Sequence, residues 1–167
     1  MGGVTLFLAL VLVGAAIHKI AAWRRLGISA ARLAGTAVGQ GLLLLAVAGT
    51  VEVIAALALL IPTLHGLGVV LAAMLWAIYA LALFRRRGET LDCGCDLMER
   101  EKPVGLFAIA RPLVLAGLAG LTLVVPDGGW SVETPFAALA LLALYIAGSE
   151  LAVLPPLLNP RRKGTAR

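Results

Sequence analysis

Apolar residues fall in five long, nearly uninterrupted runs, at residues 4–23, 42–62, 66–84, 103–125 and 135–156. Polar and charged residues are confined almost wholly to the connectors between the runs. A helix needs about 20 apolar residues to cross a hydrocarbon core about 30 Å thick. In lipid every backbone N–H and C=O must find a partner within the protein, so runs of this length predict helices. Barrel strands would be about half as long and would alternate in polarity. The pattern therefore predicts an all-α integral membrane helical bundle of about five transmembrane helices. Residues 1–160 form one transmembrane domain and residues 161–167 a basic tail.

The connectors are unlike one another. Residues 63–65 leave room only for a tight turn after Pro62. Residues 126–134 form a turn-rich loop without Lys or Arg, with Trp130 placed for the membrane interface. Residues 24–41 carry Arg24, Arg25 and Arg32 and have room for a short interfacial helix. Residues 85–102 carry Arg85, Arg86, Arg87, Arg100 and Lys102, and the tail carries Arg161, Arg162, Lys163 and Arg167. Lys19 and Arg111 lie toward the same ends of their spans. All 14 basic residues thus fall on one side. Short basic loops stay in the cytoplasm, which predicts a multi-pass protein of the bacterial cytoplasmic membrane with its N-terminus outside and its C-terminus inside.

Composition agrees with this picture. Of 167 residues, 61% are hydrophobic and 14% charged, whereas a soluble domain carries about 25% charged residues. The net charge of +5 reads as topology and lipid-headgroup anchoring. It does not read as a nucleic-acid surface, because no stretch mixes basic residues with exposed aromatics in a soluble setting. The first run lacks the basic start and small-residue cleavage site of a secretory signal, so it is read as a retained span. Gly14, Ala15 and Ala16 in the first span, and Gly117 and Gly120 in the fourth, would permit close helix approach.

Ionisable residues at membrane depth are costly and face the bundle interior. At 1.5 Å per residue, Glu52 lies roughly 15 Å from the cytoplasmic end of its span and Arg111 roughly 12 Å. Glu150 and His18 are shallower, at roughly 9 Å and 7–8 Å. Matching depths pair Glu52 with Arg111. Such a pair acts either as a register-fixing salt bridge or directly in redox or proton transfer. Pro112 would loosen the helix beside Arg111. His18 reads as a proton shuttle or as a hydrogen-bonded structural histidine. Lys19 is expected to snorkel to the interface, and Trp76 and Tyr79 to be bundle or interface aromatics.

The two cysteines share one connector, as Asp92-Cys93-Gly94-Cys95-Asp96. No second cluster completes a zinc site, and no metal centre is predicted. Two thiolates could capture a soft ion such as Cu(I). The other reading is a dithiol/disulfide closed across Gly94, in a small strained ring suited to exchange.

These residues resemble the methylamine utilisation protein MauE family, related to the DoxX-like membrane proteins. The resemblance rests on Ala15-Ala16-Ile17-His18-Lys19, Val51-Glu52-Val53, the Arg-rich lead into Leu91-Asp92-Cys93-Gly94-Cys95, and Ala110-Arg111-Pro112-Leu113. Family members often continue Cys-Gly-Cys with Phe-Gly, where this chain has Asp96-Leu97. The resemblance implies a role in maturing methylamine dehydrogenase, whose small subunit is rich in disulfides. It also implies a thioredoxin-like, exported or membrane-tethered partner of the MauD kind.

Cys93 and Cys95 are then the exchanging pair of a membrane thiol–disulfide oxidoreductase component. Glu52, Arg111 and His18 are its intramembrane polar support. No cofactor is evident, and a quinone stays open because such sites leave little sequence trace. Disulfides form outside the cytoplasm, yet the charge pattern puts the cysteines on the cytoplasmic side. Either the connector folds back into the bundle or electrons are relayed across the membrane. The competing functions are a soft-metal or small-solute transporter and a non-catalytic membrane scaffold.

Overall fold

A computed structural model describes residues 2–88, 90–91, 102–103, 105–125 and 131–151. Six helices follow in order: α1 (Gly2–Ala21), α2 (Trp23–Ala34), α3 (Val38–Leu60), α4 (His65–Arg85), α5 (Leu106–Val124) and α6 (Glu133–Leu151). A single 3-10 turn, Pro62–Leu64, joins α3 to α4. Five helical segments are long and apolar enough to cross a membrane: α1, α3, the Pro62–Arg85 segment, α5 and α6. The protein is an all-α integral membrane bundle, as the apolar runs predict. The cysteine pair, the loop bearing Trp130 and the basic tail lie outside the described residues.

The packing order follows the connectors. The tight Pro62 turn forces α3 and α4 to run side by side. Gly68 sits there against the backbone of Ala58 and Leu59, where any side chain would collide. Helix α4 also packs on α5, and α1 packs on α3 and α6. The core between them holds Phe7, Leu8, Val11 and Leu12 of α1, Leu59 of α3, Val69 and Trp76 of α4, and Leu115 of α5. Large apolar residues such as Leu57, Met74, Leu113 and Leu144 stay exposed on the outer faces. That inverted exposure suits a lipid solvent, where outward Leu and Val cost nothing.

Helix α2 is the short interfacial helix expected between the first two spans. It is amphipathic: Leu26 and Ala31 are buried, whereas Arg24 and Arg32 are exposed. It ends at Gly35, whose φ of 70° places it in the left-handed region that glycine enters without penalty. The amides of Gly35 and Thr36 there satisfy the carbonyls of Arg32 and Ala31. Gly41 lets α3 meet α2, because a Cβ at that position would strike the Gly27 carbonyl and Ala31. Among the described residues the close approaches are therefore at Gly27, Gly41 and Gly68, and at Gly3 of α1 against Ala137 of α6. Gly117 and Gly120 were expected to serve this purpose, but a side chain at either would meet open space. They lie off the packed face of α5, which turns Leu115 and Ala119 inward instead.

Beyond α4, Thr90–Leu91 pairs antiparallel with Lys102–Pro103, Thr90 opposite Pro103 and Leu91 opposite Lys102. This two-residue ladder ties together the two ends of the connector that carries the cysteines. Arg86 adds a tie at the same end of the bundle, its Nε donating to the Leu33 carbonyl at 3.4 Å.

Candidate functional site: a buried Lys–Glu–Tyr cluster

Glu52 stands in the middle of α3, and only 1% of its surface is exposed. A carboxylate there needs a partner, since unpaired charge in an apolar medium costs several kcal/mol. Its partner is Lys19, near the end of α1. The Lys19 ammonium donates to Glu52 Oε1 at 2.6 Å, and Lys19 is itself 4% exposed. The lysine stem reaches this depth by passing Gly49, where a Cβ would lie 3.9 Å from Lys19 Cδ. A third group converges from α4. The Tyr79 hydroxyl donates to the same Oε1 at 3.0 Å, and the Lys19 ammonium sits 5.4 Å from the Tyr79 ring centroid. Three helices thus meet at one carboxylate oxygen.

The arrangement corrects two expectations. Glu52 does not pair with Arg111; its partners are Lys19 and Tyr79. Nor does Lys19 snorkel to the surface. The physical reason is the same for both: a flexible four-carbon stem carries the lysine charge inward to the depth of Glu52, and one cation at 2.6 Å suffices. Arg111 is used elsewhere. Its Nε donates to the Tyr145 hydroxyl at 2.7 Å, and its guanidinium lies 4.3 Å over the Tyr145 ring. The planar, weakly hydrated guanidinium suits such stacking. Tyr145 also meets Phe7 edge-on at 5.8 Å. Arg111 is therefore a tether between α5 and α6, in contact with α1 through Tyr145.

His18 is half-buried beside Lys19 on α1 but outside the cluster, and its Nε2 has no hydrogen-bond partner among the described residues. Glu150 is half-buried in the last turn of α6. Cys93 and Cys95 lie outside the described residues, so the cluster is described without them. Sequence reasoning placed Glu52 in the site but missed Lys19 and Tyr79. Depths had been compared at Cα positions alone; adding the reach of a lysine stem matches Lys19 to Glu52.

Chemically, the cluster holds one paired charge and spare hydrogen-bonding capacity. Glu52 Oε2 is buried without a partner among the described residues. An ammonium has three donors, and a phenol can accept as well as donate. The cluster is thus equipped to bind a small polar group or to hold a proton inside the membrane. Among the described residues no three His, Cys, Asp or Glu side chains gather as a metal set.

The cluster borders a groove of about 490 Å³, lined by apolar residues of α2, α3 and α4 with Lys19 and Tyr79 at its polar end.

Comparison with known proteins places the chain. No solved structure matches it. It is 36% identical over 164 residues to the methylamine utilization protein MauE of Methylophilus methylotrophus, covering 89% of this chain and 83% of that protein. The family model for methylamine utilisation protein MauE matches residues 2–125. That span contains α1 to α5, the Lys19–Glu52–Tyr79 cluster and the cysteine pair. The chain therefore belongs to the MauE family.

Proposed function

We propose that this protein serves methylamine utilisation by supporting thiol–disulfide exchange during maturation of an exported protein. Its partner is thioredoxin-like, of the MauD kind, and the exported protein is the disulfide-rich small subunit of methylamine dehydrogenase. Cys93 and Cys95 are the exchanging pair. The protein sits in the bacterial cytoplasmic membrane with its N-terminus outside and its C-terminus inside.

The observation that carries this reading is the Asp92-Cys93-Gly94-Cys95-Asp96 segment within the family-matched region. It is supported by the ladder that ties the two ends of its connector together. The ladder holds Thr90–Leu91 against Lys102–Pro103 beyond the end of α4. Exchange passes through a mixed disulfide between one of these thiols and the partner, with the second thiol of the pair as the resolving group. Two thiols one residue apart meet that requirement. The buried Lys19–Glu52–Tyr79 cluster supports the bundle beneath.

The reading is tested by Cys93→Ser and Cys95→Ser, each made singly. Either change should abolish disulfide maturation of the exported subunit while the mutant protein stays inserted at normal abundance. Normal maturation in both would leave a scaffold as the better account. Loss of soft-metal uptake with maturation intact would favour a transporter.

A further inference from the structure

The groove beside the cluster has a build of its own. Leu26, Ala30 and Leu33 of α2 line it together with residues of α3 and α4. Leu44 and Val47 of α3 and Met74 and Ile78 of α4 are among its lining residues and are also heavily exposed on the bundle's outer face. The groove therefore opens toward lipid between α3 and α4. Its volume of about 490 Å³ falls in the range of small-molecule sites, about 300–1,000 Å³.

The polar end restricts the occupant. Lys19 and Tyr79 border the cavity, and both already donate to Glu52. The lysine charge is neutralised by that pairing, so an anionic ligand gains little. A fatty-acid carboxylate at Lys19 would also compete with the Glu52 carboxylate, a like charge already 2.6 Å from the same ammonium. A zwitterionic headgroup finds too few polar groups, for only Ser29 joins Lys19 and Tyr79 among the polar lining side chains. What remains on offer is N–H donation from an ammonium with protons to spare, beside a long apolar slot. That suits a neutral molecule with a carbonyl head and a hydrocarbon tail.

We infer that the groove between α2, α3 and α4 binds a membrane quinone, with a ring carbonyl against the Lys19 ammonium and the tail leaving between α3 and α4. The inference rests on the thiol-exchange reading for its chemical role. Oxidising two thiols to a disulfide forms one S–S bond and releases two electrons and two protons. A quinone takes up both pairs at its two carbonyl oxygens and leaves as the quinol. The Lys19 ammonium borders the groove and can donate to the carbonyl nearest it.

Binding is measured on the full-length protein in phospholipid nanodiscs, with a decyl-substituted benzoquinone as probe and tryptophan quenching as readout. Trp76, buried one turn before Tyr79, serves as an internal reporter. Saturable quenching is expected, and decylbenzene, which has the tail without the carbonyls, should not compete. Lys19→Met/Glu52→Gln, which removes the donor without leaving a buried charge unpaired, should weaken binding roughly threefold to tenfold, the worth of one hydrogen bond. Ala48→Phe should fill the slot and weaken it at least tenfold. Ile78→Phe, at an exposed position of the mouth, should do the same without disturbing the core or adding a fluorophore.

Equal competition by decylbenzene would show a slot for lipid tails only and overturn the inference. So would unchanged binding in both the Lys19→Met/Glu52→Gln variant and Ile78→Phe. The Cys93→Ser/Cys95→Ser double variant separates the two readings. It should bind quinone as the wild type does, even if thiol exchange proves absent. If instead quinone fails to bind while the single cysteine variants still lose maturation, thiol exchange stands and the groove assignment falls.

Discussion

Replacing Glu52 with Gln leaves the Lys19 ammonium buried against a neutral amide. Replacing Lys19 with Met leaves the carboxylate with only the Tyr79 hydroxyl. Breaking a buried pair by removing one partner costs about 3–5 kcal/mol. The Tyr79 bond is a smaller part, since hydrogen bonds between transmembrane helices average about 0.6 kcal/mol and reach about 1.7. Removing both charges is different. The Lys19→Met/Glu52→Gln variant keeps side-chain volume and leaves the Gln oxygen able to accept from Tyr79. Apolar replacement of a buried pair is often neutral or stabilising, so the double variant should lie within about 1 kcal/mol of wild type. The coupling energy should then reach about 5 kcal/mol or more. The assay is SDS-driven unfolding in mixed micelles, followed by loss of helical circular dichroism. A Glu52→Gln/Arg111→Leu cycle is the control and should be additive, because Glu52 binds Lys19 and Tyr79. Single effects of Lys19→Met and Glu52→Gln that add within about 0.5 kcal/mol would refute the pairing.

Two further outcomes test the packing and the topology. Gly41→Ala should cost about 1–3 kcal/mol by overpacking in the same SDS titration, because its Cβ meets the Gly27 carbonyl and Ala31. Gly39→Ala, two residues earlier with open space around it, should instead stabilise by about 0.5–1 kcal/mol. A membrane-impermeant thiol reagent added to intact spheroplasts should leave Cys93 and Cys95 unlabelled until the membrane is permeabilised. Ready labelling from outside would reverse the orientation drawn from the basic connectors.

The helices were legible because lipid makes apolar run length nearly sufficient. The runs at 42–62 and 66–84 correspond to α3 and α4 with ends shifted by at most four residues, and the tight turn at Pro62 is a 3-10 turn. Helix α2 was legible as a basic amphipathic segment too short to span. Packing was less so. Small residues mark close approach only when they face a neighbour. In α5 that depends on helix rotation, which a uniformly apolar sequence does not specify, so Gly117 and Gly120 were misassigned while Gly27 and Gly41 were overlooked. In the site, Glu52 was evident from its depth. Its partner was misjudged because Arg111 matched it at Cα level, whereas Lys19 reaches it through its stem. Tyr79 was read as a packing aromatic; its hydroxyl at the level of Glu52 emerges only once α3 and α4 are seen side by side.

The central claim, thiol exchange through Cys93 and Cys95, is tested most directly by trapping its intermediate. Cells carrying Cys93→Ser or Cys95→Ser are quenched in acid, and this protein is examined on a non-reducing gel with mass spectrometry of any adduct. The account predicts that at least one variant accumulates a mixed disulfide with a thioredoxin-like protein, because the resolving thiol is missing, and that reductant releases it. No adduct in either variant, with the exported subunit still acquiring its disulfides, would contradict it.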